Sequence, residues 1–149
     1  MPLLFRLTFL FLFFHPSAHA AFTTYKGPEL NSGGECVVAI ISQKDSYLEV
    51  LVTVTIKREL VYLDTLTLQT VLKPAFRTRD YDRTERIDAA YTLEFTKLYY
   101  KNTNVRFLNS EKTALAFRQW HTVQTRIPGK PDTLERTVTY NCLNLVRSP

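Results

Sequence analysis

Leu48, Val50, Val52, Val54 and Ile56 take every second position of one run, and Tyr47, Glu49, Leu51, Thr53 and Thr55 take the positions between them. Side chains alternate across a strand, so this period-two pattern of branched residues specifies a β-strand with one face buried. The row from Leu48 to Ile56 must be an interior face. The opposite row holds Glu49, Thr53 and Thr55 and is expected to meet solvent, with Leu51 exposed or covered by a loop. Lys57-Arg58-Glu59 ends the strand. A strand of this kind needs partners, and the rest of the chain supplies them.

Phe22 to Glu35 reads as a polar lead-in, with Gly27-Pro28 and Gly33-Gly34 as turn marks. Cys36 to Ile41 is a short apolar run, best read as a buried strand, and Gln43 to Ser46 is a turn. Leu60 to Leu72 fits two patterns. Leu66, Leu68 and Thr70 alternate, whereas Val61, Leu68, Val71 and Leu72 could line a helix. The threonines at 65, 67 and 70 favour strand, and Lys73-Pro74 closes the segment. Arg77 to Asp88 carries four bases and four acids that cancel, and it reads as a solvated connection. Tyr91, Leu93 and Phe95 begin another strand running toward Tyr100. Asn102-Thr103-Asn104 reads as a turn, Val105 to Phe107 as a short strand, and Asn109-Ser110-Glu111 as a turn.

The C-terminal part reads as a hairpin, with arms Thr113–Ile127 and Thr133–Val146 around the Pro128–Asp132 loop. With Ile127 opposite Thr133, Trp120 falls opposite Tyr140, Arg118 opposite Cys142 and Leu115 opposite Leu145. Trp120, Val138 and Tyr140 then mark one apolar face near the loop. Leu115, Phe117, Leu143 and Leu145 mark the other face farther away. That switch requires a bulge or a twist near Arg118-Gln119. Together these segments imply an all-β domain, an antiparallel sandwich or barrel-like fold of about seven or eight strands.

The N-terminus is set apart from this frame. Arg6 precedes an apolar stretch, Leu7 to Phe14, and Ala18-His19-Ala20 fits the small-x-small cleavage pattern. Residues 1–20 are therefore expected to be a secretory signal peptide, leaving a single domain over 21–149 in a secreted or periplasmic location. Without Arg6, 18 Lys+Arg face 14 Asp+Glu, a net charge of +4. Cys36 and Cys142 are the only cysteines, and in an oxidising compartment an even count implies a disulfide. Closing a loop near that size is worth about 4.7 kcal/mol in the chain-entropy model.

The remaining chemistry is sparse. After the leader one histidine is left, His121, and one tryptophan, Trp120. No Gly-rich phosphate loop and no nucleophile elbow occur, so no cofactor, no metal and no catalytic residue is assigned. Asp80, Asp82, Glu85 and Asp88 could attract a cation, but the arginines among them oppose it. Arg77, Arg79, Arg83 and Arg86 could pair with an acidic partner through bidentate hydrogen bonds. Tyr99 and Tyr100, flanked by Lys97 and Lys101, could join them in an aromatic and basic surface. The expected function is a non-catalytic exported binding domain. Its expected partner is another protein or a glycan rather than a nucleic acid. Two alternatives stand beside it: a secreted hydrolase using His121 or the Asp80, Asp82 and Glu85 acids, and a structural assembly subunit.

Overall fold

The structure is a computed structural model and describes residues 22–72, 74–88 and 94–149. The segment read as a signal peptide, 1–20, lies outside the described residues, as does the start of the strand read from Tyr91. Eight antiparallel strands close into a barrel in the order β1 to β8. They are β1 (Thr23–Glu29), β2 (Gly34–Gln43), β3 (Tyr47–Ile56), β4 (Glu59–Leu72), β5 (Ala75–Asp88), β6 (Glu94–Phe107), β7 (Ala114–Arg126) and β8 (Thr133–Arg147). No described residue lies in a helix.

β3 is the strand its alternation specifies. Leu48, Val50, Val52 and Val54 are fully buried, and Ile56 packs half-buried against them. The opposite row is half-buried rather than open, because β3 lies between β2 and β4 and their outward side chains flank it. Leu60 to Leu72 is strand. Its register sets Leu68 opposite Leu48 and Leu66 opposite Val50, which turns both leucines inward. The core continues through Tyr25, Val38, Phe76, Val105, Phe107, Leu115, Phe117 and Leu145.

Three segments differ from the sequence expectation. The polar lead-in contains β1, whose inward Tyr25 is buried and donates its hydroxyl to Lys112 O at 2.7 Å. The mixed-charge stretch Arg77–Asp88 is not a solvated connection but most of β5. Its charges cancel along the chain, yet the register also sets Asp80 opposite Lys101 and Glu85 opposite Lys97. Opposite charges across a ladder support a strand. Asn102-Thr103-Asn104 is not a turn, and β6 runs through it unbroken. Turn-prone amides sit in a strand here because groups on neighbouring strands bond them, as detailed below.

The C-terminal hairpin forms, with Leu115 opposite Leu145. Its register shifts between Leu115 and Phe117 and again between Gln119 and Trp120, so Trp120 faces Val138 and Gln119 faces Tyr140. Asn144, at φ 57°, marks the first irregularity. The second lets Trp120 and Val138 turn outward while Tyr140 stays inward against Tyr62, ring centroids 5.0 Å apart. Tyr140 therefore does not share the apolar face assigned to it from the sequence.

The barrel closes through its first strand. β1 pairs with β8 through Tyr25 with Arg147, Lys26 with Val146 and Glu29 with Cys142. Cys36 on β2 and Cys142 on β8 form the disulfide, with Cα atoms 6.2 Å apart, within the range a bridge requires. The bridge therefore spans the strand that completes the barrel. On that strand Gly27 is opposite Cys36. A Cβ at Gly27 would lie 2.9 Å from Leu145 Cδ2 and 3.2 Å from Leu145 Cα, so a side chain there would crowd the approach of β1 to β8. Two residues on, Glu29 is buried. Its carboxylate accepts bonds from Asn141 N–H (2.9 Å), Asn31 N–H (3.2 Å), Ser32 N–H (2.6 Å) and the Ser32 hydroxyl.

Candidate arginine and aromatic surface

β5 to β8 form a four-stranded wall whose inner positions include Phe76, Val105, Phe107, Leu115 and Phe117. Alternation sends the intervening residues outward. The register arranges these in cross-strand rows. One row reads Arg77, Asn104, Arg118, Asn141, and the next reads Arg79, Asn102, Trp120, Val138. In the following row Tyr100, Thr122 and Arg136 are aligned, and beyond it Leu98, Gln124 and Leu134. Arg106 and Arg126 lie on the same side at the two ends of the wall.

Cross-strand bonds lock the centre of this surface. Arg79 Nε donates to Asn102 Oδ1 at 3.2 Å, and Asn102 Nδ2 donates to Thr122 Oγ1 at 3.1 Å. Asn104 Nδ2 donates to Phe76 O at 3.1 Å. Tyr100 OH donates to Gln124 Oε1 at 3.2 Å, and Gln124 Nε2 donates to Asp132 Oδ2 at 2.6 Å. Two guanidinium groups stand over rings: Arg79 at 5.3 Å from the Tyr100 centroid and Arg136 at 5.2 Å from the Trp120 centroid. Such stacking holds an arginine flat while leaving its donor edge available. Among the described residues, the salt bridge on this surface is Arg126 with Asp132, at 3.3 Å.

The bases divide by face. Arg77, Arg79, Arg106, Arg118, Arg126 and Arg136 occupy outer positions, whereas Lys97 and Lys101 occupy inner ones. Lys101 lies 3.9 Å from Asp64, at the edge of a polar interior layer. In that layer Gln119 Nε2 donates to Tyr62 OH at 3.0 Å, and Tyr62 OH donates to Asp64 Oδ2 at 3.1 Å. Burial, assisted by the Asp64 charge and opposed by the Gln119 hydrogen bond, pushes the Tyr62 hydroxyl up to about 12. The phenol thus keeps its proton and donates it to Asp64.

The sequence candidates separate on this frame. Arg77 and Arg79 are exposed on the outer surface, and Tyr100 joins them. Tyr99 pairs with Val123 at an inner position, so it does not share a surface with Tyr100; consecutive strand residues point to opposite sides. The register sets Arg83 opposite Tyr99 and Arg86 opposite Thr96, after a shift between Tyr81 and Arg83. Asp80, Asp82 and Glu85 are spaced along β5, and His121 is paired with Lys101 and Thr137. Among the described residues, no cluster of three His, Cys, Asp or Glu side chains could hold a metal ion.

Asn102, Asn104, Arg118, Trp120 and Arg136 were not legible as site residues. Their signal lay in the alternation Arg118, Trp120, Thr122, Gln124, Arg126 along β7. It becomes a surface only when neighbouring registers are known. A cavity of about 440 Å³ is lined by residues that include Tyr25, Ile40, Lys112 and Arg147, none of which belongs to this surface. No family model, no curated protein and no solved structure matches the chain.

Proposed function

We propose that this chain is an exported, non-catalytic binding module that holds a carboxylate- or sulfate-bearing protein or glycan on the outer face of β5–β8. One observation carries the reading: the described bases facing outward on this wall are all arginine, set in rows with Asn102, Asn104, Tyr100 and Trp120. Arginine forms paired, directional bonds to carboxylate and sulfate oxygens, which a lysine point charge does not. Half-buried aromatic rings add contact area at small entropic cost. Export is supported by the leader-like N-terminus and by the Cys36–Cys142 bridge, which is compatible with an oxidising compartment.

The test uses the processed protein with polyglutamate, an acidic polysaccharide, a neutral glucan and single-stranded DNA as probes. Binding is expected to one of the two carboxylate or sulfate probes, to weaken with salt, and to be absent with the neutral glucan. Arg118→Ala is expected to lower affinity about tenfold, roughly 1.4 kcal/mol. Arg118→Lys should recover only part of that loss, because the charge returns without the fork. Preference for DNA over both acidic probes would replace this reading with nucleic-acid recognition. A hydrolytic activity lost in a folded His121→Ala variant would replace it with the hydrolase.

A further inference from the structure

The seam between β4 and β5 is paired at one end alone. Gln69 faces Arg77, Thr70 faces Phe76 and Leu72 faces Ala75, and among the described residues no pairing between these strands involves Glu59 to Leu68. Thr70 N–H bonds Ser46 O at 3.0 Å, on the β3 side of the strand. By alternation, Leu63, Thr65 and Thr67 direct their N–H and C=O groups to the other side, where β5 supplies no ladder. The outward side chains along this edge are open, apolar toward the β3–β4 turn and threonine beyond it. Leu60 is 58% exposed, Val61 45% and Leu63 59%. Free edges are ordinarily guarded by lysine, proline or charge. From Glu59 to Leu72 there is no Lys, Arg or Pro, and the inward Asp64 is already engaged by Tyr62 and Lys101. The free part of β8, by contrast, carries Glu135 and Arg136.

We infer that this edge pairs with the same edge of a second copy, joining two barrels through an antiparallel β4–β4 ladder. The edge is self-complementary. A register shift at Leu60–Tyr62 ends its regular part, which leaves Tyr62 to Leu68. A two-fold axis at Thr65 sets Thr65 opposite Thr65 of the partner subunit and Leu63 opposite Thr67 of the partner subunit. Each such pair exchanges two backbone hydrogen bonds from groups that otherwise lack a ladder. Tyr62 then faces Leu68 and Asp64 faces Leu66, so no like charges meet. A two-fold at Asp64 would oppose two carboxylates, which disfavours that register.

Sedimentation equilibrium on the processed protein tests this, with Thr65→Lys and Thr65→Asp as variants. Thr65 is exposed, so both are expected to keep the wild-type fold by circular dichroism. The wild type is expected to reach twice the chain mass as concentration rises. Each variant alone places like charges on the axis and is expected to remain a monomer. Mixing the two variants is expected to restore the dimer, because opposite charges then meet at position 65. A wild type that stays monomeric overturns the inference, including one that binds a strand of a different protein there. Variants that still dimerise alone, or a mixture that stays monomeric, overturn it equally.

Discussion

Val52 and Thr53 are adjacent in β3 and belong to opposite sides of the barrel wall, so the same substitution should have very different costs. Val52→Asp would bury an unpaired carboxylate at the middle of the Leu48–Val54 row, at a cost of several kcal/mol, comparable with the ~5–15 kcal/mol stability of a domain. Thr53→Asp, half-buried and outward, should lower the melting temperature far less. Equal losses by thermal denaturation would place the register in error. Glu29 makes a pH-dependent prediction. Burial raises its pKa, but the bonds from Ser32, Asn141 and Asn31 outweigh burial and hold it below the ordinary value. A depressed carboxyl pKa stabilises the fold above the unfolded value, about 4.3, and that contribution is lost as pH falls through the lower folded value. Glu29→Gln should therefore cost about 1.5–3 kcal/mol in urea unfolding at neutral pH. The gap to wild type should narrow as the medium is acidified below pH ~4.

At the scale of strands, legibility followed periodicity. β3 and the β7–β8 hairpin were readable because branched and apolar residues alternate in them and Pro128-Gly129 marks the turn. β5 was not, because Arg77–Asp88 has no apolar alternation to mark a buried face. β1 was hidden by Gly27-Pro28, which read as a turn, although the glycine is there for close packing against Leu145. On the outer face of β5–β8, Arg77, Arg79 and Tyr100 were readable, since rows such as Arg77-Asn104-Arg118 exist across strands and not along them. The β3–β4 turn offers a separate prediction. Lys57 and Arg58 both have positive φ, 52° and 68°. Side-chain-bearing residues pay about 1–2 kcal/mol each for that conformation. Replacing the pair with Asn-Gly, which suits such a two-residue hairpin, should raise the denaturation midpoint. An unchanged or lower midpoint would show that the turn side chains contribute more than the strain they impose.

For the molecule as a whole, the barrel depends on one seam that joins its two ends. Cys36→Ala with Cys142→Ala should lower stability by about 2–5 kcal/mol, measured by chemical denaturation at fixed pH. An unchanged midpoint would show that the β1–β8 ladder and Glu29 close the barrel unaided. The order of strands carries a kinetic corollary. Seven of the eight ladders join strands that follow one another in sequence, and the eighth joins β8 back to β1. Consecutive hairpins form from local contacts and are fast, whereas the last ladder must gather nearly the full chain and bears the largest loop-closure entropy. A chain that refolds with its bridge already formed has had that search done for it. In stopped-flow experiments the oxidised protein should therefore reach the native state faster than the cysteine-free variant, with the difference carried mainly by the refolding limb.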